Sequence, residues 1–420
     1  MAKLAIKGGN PVIPGGLKAK WPIFDDADKK ALIEVLESGR WCSAGWYFKE
    51  PLESRVAQFE KEFAEWNGAK YGIATTNGTS SLVLALKAGG VEAGDEVIVP
   101  AVTFIASATA VILVNAIPIF VDIDPDTYQI SPERIEEAIT EKTKAIMPVH
   151  YGGYPADMDK IMEIAKRHNL LVIEDAAEAH GSEWRGRRVG SIGDMGCFSF
   201  QMGKPLTCGE GGIVLTDNEE LKDRCYSYGD LGRMPGGEKY EHYIPAGNNR
   251  MTEFQGALLL VQLSRLEEQT NIRHENGEYF ARELEKIEGI SALKRDPRVT
   301  KRGYYFYFLR YDQSRWNDIP RDKFMEALRA EGVPCSTAHN QPLYKNPLFR
   351  EMAFGKTGCP VSCPLYGKKI DYSKVSCPVS ERVYESEVVA LGKDFLMERE
   401  NVDRVLEAIY KIRENIDELK

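Results

Sequence analysis

The chain has 420 residues, 43% hydrophobic and 28% charged, with a formal net charge of −9. That length exceeds one small domain and buries a sizeable core, while the acidic balance argues against nucleic acid or an anionic membrane as the main partner. The eight cysteines are scattered, "MAKLAIKGGNPVIPGG" does not read as a signal peptide, and "AVILVNAIPIFV" is too short to span a bilayer and holds Asn115 and Pro118; a reduced, cytoplasmic protein is the expectation.

From about residue 55 to 260, helix-like and strand-like segments alternate. "SSLVLALKAGG" has helical apolar spacing and ends in glycines, and "GDEVIVP" is a turn followed by a β-branched strand. "IPIFVDID" is a further strand, after which Ser131 and Pro132 open the helix "PERIEEAIT" in cap-then-proline order. "KAIMPV" and "LLVIED" are continuous apolar runs, as expected of strands covered on both faces, with the helix "ADMDKIMEIAKRH" between them. This succession predicts an α/β fold with a mostly parallel sheet flanked by helices, and sites in such sheets gather at the carboxyl ends of the strands. The long helical stretch from Thr252 to Ile287 then connects to a second domain with the strand "GYYFYFLRY", the helix "RDKFMEALRAEG" and a final helix near 400 to 418. The expected division is a large domain over 1–262 and a small C-terminal α/β domain over 263–420. Residues 355 to 378, rich in Gly, Pro and Cys, read as an irregular loop.

Some motifs are excluded by their own requirements. No G-x-G-x-x-G follows the first strand, so a dinucleotide site lacks its phosphate turn. "GKT" at 355–357 mimics the end of a P-loop, but the required first glycine is replaced by Arg350. Cys359, Cys363 and Cys377 contain no C-x₂-C pair and no evident fourth ligand, so loop or buried thiols are expected and no metal. His180 in "AEAHG" reads as a packed loop residue.

A positive set remains. Asn77, Gly78 and Thr79 lie where a loop enters a helix, and the free N–H groups and dipole there suit a phosphate. Asp175 ends the apolar strand "LLVIED", where a carboxylate is costly unless it meets a cation or donors. "CFSF" places Ser199 five residues before Lys204, and "TCGEGG" follows as a backbone-exposing turn. Pyridoxal phosphate needs a lysine for its imine, a carboxylate for its ring nitrogen, an anion cup and a flat cover. Lys204, Asp175, the Gly78–Thr79 helix start with Ser199, and Phe104 after "VPAVT" can fill those roles in turn.

The stretches "WPIFDDADKKALIEVLESGRW", "FEKEFAEWNGAKYGIATTNGTSSL", "GDEVIVPAVTFIASATAV", "EDAAEAHG", "FSFQMGKPLTCGEGG" and "NNRMTEFQGALLLVQL" resemble the DegT/StrS family of pyridoxal-phosphate-dependent aminotransferases. The resemblance implies the fold-type-I architecture and a homodimer with shared active sites. It implies an internal aldimine on Lys204, Asp175 on the pyridinium nitrogen, Phe104 stacked on the ring, and Gly78, Thr79 and Ser199 on the phosphate. Asn248 would reach the phosphate of the neighbouring subunit's cofactor, and Glu178 would stand beside the ring hydroxyl. Two segments depart from many relatives: "AGNNR", where Asn248 is reached by counting back from Arg250 and Glu253, and "ALGKDF" near the C-terminus. The implied reaction takes an amino group from glutamine or glutamate to a keto-cyclitol or keto-sugar, and "FQMGK" resembles the cyclitol and aminoshikimate branch. Three alternatives stand beside it: a dehydratase of the 3-amino-5-hydroxybenzoate synthase type, an aminotransferase on a nucleotide-linked keto-sugar, and a non-catalytic regulator.

Overall fold

A computed structural model describes residues 3–18, 20–44, 54–238 and 240–420. The apolar runs form β1 (Tyr71–Thr75), β2 (Glu96–Pro100), β3 (Ile117–Val121), β4 (Thr143–Ile146) and β5 (Leu171–Asp175). A small hairpin of β6 (Glu183–Trp184) and β7 (Arg187–Arg188) precedes β8 (Met195–Ser199) and β9 (Gly212–Thr216). Seven of these strands make one sheet in the order β1-β9-β8-β5-β4-β2-β3. β3, β2, β4, β5 and β8 run parallel, and β9 is antiparallel to both of its neighbours. Val97 and Val99 face one buried cluster and Ile98 the other, so the sheet carries a core on each side. That double burial is why the strands read as unbroken apolar runs.

The connections are filled by α1 (Asp26–Ser38), α2 (Arg55–Asn67), α3 (Gly78–Ala88), α4 (Ala106–Leu113), α5 (Pro132–Ala138), α6 (Met158–His168) and α7 (Glu219–Gly229). Their starts follow local chemistry. The Asn77 carboxamide accepts the Ser80 N–H at 2.9 Å, and Ser131 caps α5 ahead of Pro132. α6 starts at Met158 because Asp157 is its cap, and it ends on Lys166, Arg167 and His168 before a left-handed Asn169. β4 stops at Ile146 although "KAIMPV" continues, since Pro148 has no N–H to donate; Val149 rejoins the sheet through a bridge to Asp175.

The reciprocal Thr252–Gln255 capping bonds start α8 (Glu253–Leu284), which leads toward a second sheet. β10 (Ile290–Ala292), β12 (Phe306–Tyr311) and β13 (Val388–Gly392) pair antiparallel in the order β10-β12-β13, while β11 (Val299–Lys301) pairs with β6. β12 begins only at Phe306 because Tyr304 is held at φ 49°. α9 (Arg321–Ala330) and the terminal helix Arg399–Glu414 share a core with this sheet, and Leu4 from the start of the chain joins it. Residues 355–378 are irregular apart from a turn of 3₁₀ helix at Tyr372–Lys374 and the first residue of a short helix at Pro378. That region packs back onto the first sheet: Tyr366 donates to Glu96 at 3.0 Å and Tyr372 to the Pro118 carbonyl at 2.9 Å. Among the described residues, no helix is long and apolar enough to cross a membrane.

Candidate active site

Parallel strands bring their carboxyl ends to one edge of the sheet. A cavity of about 920 Å³ opens there, lined by Gly78, Thr79, Phe104, Asp175, Glu178, Ser199 and Lys204. Strand alternation separates the two acids that end β5. Glu174 points away, accepting N–H groups from Gly190, Ile192 and Gly193 and bonding His150 Nε2 at 2.9 Å. Asp175 is left to the cavity.

Asp175 is buried, accepting the Ser107 hydroxyl at 2.7 Å and the Ala177 N–H at 3.2 Å. Burial drives its carboxyl above the ordinary value, with these two hydrogen bonds and the Lys204 charge opposing. Such a group keeps its charge best against a cation, and a protonated ring nitrogen supplies one.

The anion cup is built by close packing. A Cβ at Gly78 would lie 2.7 Å from Ser199 Cβ, and one at Gly212 would lie 2.6 Å from the Asn77 carbonyl. Glycine is therefore what lets the start of α3 press against β8 and β9. The Gly78 and Thr79 N–H groups precede the first intrahelical bond, which leaves them for a phosphate.

Lys204 Nζ lies 3.4 Å from Glu178 Oε1 and 4.1 Å from the Tyr305 ring centre. Glu178 Oε2 in turn accepts the Gly152 N–H at 2.8 Å. The lysine loop is pinned from several sides. Lys204 N–H donates to the Gln201 carbonyl at 2.8 Å, Gly203 N–H to Gln201 Oε1 at 2.8 Å, and the Trp21 indole to the Met202 carbonyl at 2.7 Å. Phe104 is 54% exposed on the cavity wall, a large aromatic face left for a planar ring.

Asn248 is the one proposed ligand that does not line the cavity. Its backbone bridges Asp230 and its side-chain oxygen accepts the Arg250 N–H at 3.3 Å, while the neighbouring Asn249 does line the cavity. His180 is fully buried among Phe198 and Phe200, and burial pushes it down to about 3, so it packs as a neutral ring. Cys359 is exposed and Cys377 buried, and no cluster of candidate metal ligands occurs among the described residues.

Three residues of the site escape the sequence reading: Ser107, which bonds Asp175, and Tyr305 and His339, which line the cavity. Ser107 lies one helical turn after Thr103, and that spacing on the loop-to-helix junction was a usable signal. Tyr305 was hidden inside an aromatic run read as strand, and His339 carried no local pattern at all.

A lysine, a buried carboxylate and a glycine-edged helix start at the strand ends of this sheet fit pyridoxal phosphate, and with the fold they define a fold-type-I aminotransferase. The chain belongs to the DegT/DnrJ/EryC1/StrS aminotransferase family, whose model matches residues 22–370. It is 37% identical to an L-glutamine:2-deoxy-scyllo-inosose aminotransferase of Streptoalloteichus tenebrarius, covering 99% of each chain. It is also 37% identical to an L-glutamine:scyllo-inosose aminotransferase of Streptomyces griseus, covering 100% of this chain and 99% of that one. Among solved structures it resembles 3-amino-5-hydroxybenzoic acid synthase, with a TM-score of 0.81, 33% identity, and coverage of 94% and 99%.

Proposed function

We propose that the protein transfers the amino group of glutamine to a keto-cyclitol of the scyllo-inosose type, as a cytoplasmic homodimer with shared active sites. The observation that carries this reading is Lys204 held beside Glu178 in one cavity with Asp175, in a chain similar over its whole length to glutamine-dependent scyllo-inosose aminotransferases. Pyridoxal phosphate supplies the electron sink. Lys204 would anchor it, and the Lys204 amine would serve as the general acid and base that moves a proton at the substrate carbon. Asp175 would keep the ring nitrogen protonated, Phe104 would cover the ring, and Glu178 would serve the ring hydroxyl. Gly78, Thr79 and Ser199 would hold the phosphate. Asn248, outside its own cavity, serves the partner subunit's phosphate. The long helix α8 links a large domain over 1–262 to a small one over 263–420.

The test is an assay with glutamine against scyllo-inosose, 2-deoxy-scyllo-inosose and nucleotide-linked ketohexoses. Turnover of the cyclitols is expected, and turnover confined to nucleotide-linked sugars overturns the acceptor class. A second reading, dehydration of an aminoshikimate, is favoured by "FSFQMGK" and by the likeness to 3-amino-5-hydroxybenzoic acid synthase. Product analysis separates the two, because dehydration consumes no stoichiometric amino donor.

A further inference from the structure

His339 lines the same cavity as Lys204, and its Nε2 is buried without a hydrogen-bond partner among the described residues. A buried polar atom left incomplete costs stability, and native folds retain few of them. The imidazole is flanked by rings: Phe104 at 5.6 Å, Tyr151 at 5.5 Å and Phe306 at 6.1 Å between centres.

The loop that carries it is tied at both ends. Ser336 and Ala390 exchange both backbone hydrogen bonds, at 3.0 and 2.7 Å, and the Leu343 N–H donates to the Ala101 carbonyl at 2.8 Å. Between these anchors, the two residues flanking His339 are left-handed: Ala338 at φ 57° and Asn340 at φ 68°. Alanine is disfavoured there, and strain of this kind persists where surrounding structure enforces it. The result is an incomplete nitrogen held beside Glu178, in a residue of the cavity wall, by a strained, anchored loop. Glu178 Oε1 links it to the chemistry, at 3.4 Å from Lys204 Nζ and 3.9 Å from His339 Nε2.

We infer that His339 is a specificity-determining residue whose Nε2 hydrogen-bonds a ring hydroxyl of the keto-cyclitol close to the reacting carbon. The inference rests on the keto-cyclitol reading above. The surroundings favour a neutral hydroxyl over the donor's carboxylate. Glu178, ion-paired with Lys204, repels a second carboxylate at this spot. Burial, with the Lys204 charge adding to it, outweighs Glu178 and pushes the imidazole below its ordinary value, so the ring is neutral. A hydroxyl both donates and accepts, so it complements either tautomer. A carbocycle whose reacting carbon is held at Lys204 carries its next hydroxyls one or two carbons away, and Glu178 Oε1 lies within 4 Å of both Lys204 Nζ and His339 Nε2.

The experiment compares the holoenzyme with His339→Phe, which keeps a packed ring, and His339→Gln, which restores a polar nitrogen. The two half-reactions are followed separately by cofactor absorbance in single turnovers, first with glutamine and then with the keto-cyclitol. Binding of scyllo-inositol, a polyol without the carbonyl, is measured by calorimetry. His339→Phe is expected to slow the acceptor half-reaction and weaken polyol binding by about tenfold, the equivalent of one hydrogen bond. The donor half-reaction should stay within twofold, and His339→Gln should recover part of the loss. Equal losses in both half-reactions, or no loss of polyol affinity, would overturn the assignment while wild-type turnover of the cyclitol stands. A wild-type enzyme that neither binds the polyol nor turns over a keto-cyclitol overturns the proposed acceptor itself, and the role of His339 with it.

Discussion

The cavity has two unlike walls. One is the row of strand ends that presents Gly78, Asp175 and Ser199, where each polar group is fixed by short-range packing and bonded to close neighbours. The other is assembled from distant segments, Tyr305 ahead of β12 and His339 on its strained loop, and outside the lining Trp21 bonds the lysine loop and carries Lys393 over its ring. The first wall suits a ligand that never changes, and its groups are paired in advance. The second keeps a nitrogen, His339 Nε2, with no hydrogen-bond partner among the described residues, and a buried cation, Lys393, lies near it outside the lining.

Lys204, between the walls, gives the largest expected effect. On the proposed mechanism Lys204→Ala removes both the anchor for the cofactor and the proton carrier, and a positioned general acid–base group contributes about 10²–10⁴-fold. Turnover should fall by at least that factor, and borohydride reduction of wild-type holoenzyme should label Lys204 in a peptide map. A label on another lysine would remove the basis for calling this edge the active site.

The strand-end wall is expected to be completed by a second subunit through Asn248. Loss of one hydrogen bond to a charged phosphate costs about 1.5–3 kcal/mol, so Asn248→Ala should weaken cofactor binding about ten- to a hundredfold. Mixed dimers of Lys204→Ala and Asn248→Ala subunits should regain one native site each, read as activity at limiting cofactor. Hybrids that form and stay inactive would confine Asn248 to its own chain. Gly78→Ala probes the same wall from within. Its Cβ would meet Ser199 Cβ at 2.7 Å, so either α3 or β8 must shift. Overpacking of this kind costs about 1–3 kcal/mol, and equilibrium dialysis should show it as lost cofactor affinity. Unchanged affinity would mean that the helix start does not hold the phosphate.

How far each wall can be read from sequence follows from how it is made. Asn77-Gly78-Thr79 before an apolar helix and Asp175 at the end of "LLVIED" are local patterns, so their place at the strand ends was legible. His339 depends on backbone bonds from Ser336 to Ala390 and from Leu343 to Ala101, and no neighbouring residue announces such long-range ties. Even in the first sheet, the antiparallel direction of β9 was not legible, because a fully buried run reads alike in both directions. "ALGKDF" was noticed as a departure, yet its lysine acquires meaning only once Trp21 is seen to lie against it.

Lys393 carries the smallest effect and tests whether the surroundings of the second wall retain a group that the fold would be more stable without. Its side chain is 5% exposed, with Asp394 at 3.0 Å and the Trp21 ring centre at 3.9 Å. Burial pushes it from 10.5 down to about 8, opposed by Asp394 and reinforced by Arg273 and Lys204. Between those two values the unfolded chain binds a proton that the folded chain does not, so stability rises with pH across that window. Below about 8 both states are protonated, and the cost of burying the charge is present in full. Lys393→Met removes that cost along with the contacts to Asp394 and Trp21. The net gain expected at pH 7 is roughly 1 kcal/mol, well under the full linkage value because those contacts are lost. Urea midpoints of wild type and variant at pH 7, 9 and 10 should show the gain shrinking as pH rises. A difference that stays constant with pH would show that Lys393 does not titrate in this range. A variant less stable than wild type at pH 7 would show that its contacts to Asp394 and Trp21 outweigh its burial, making the surroundings of this wall as well paired as the strand ends.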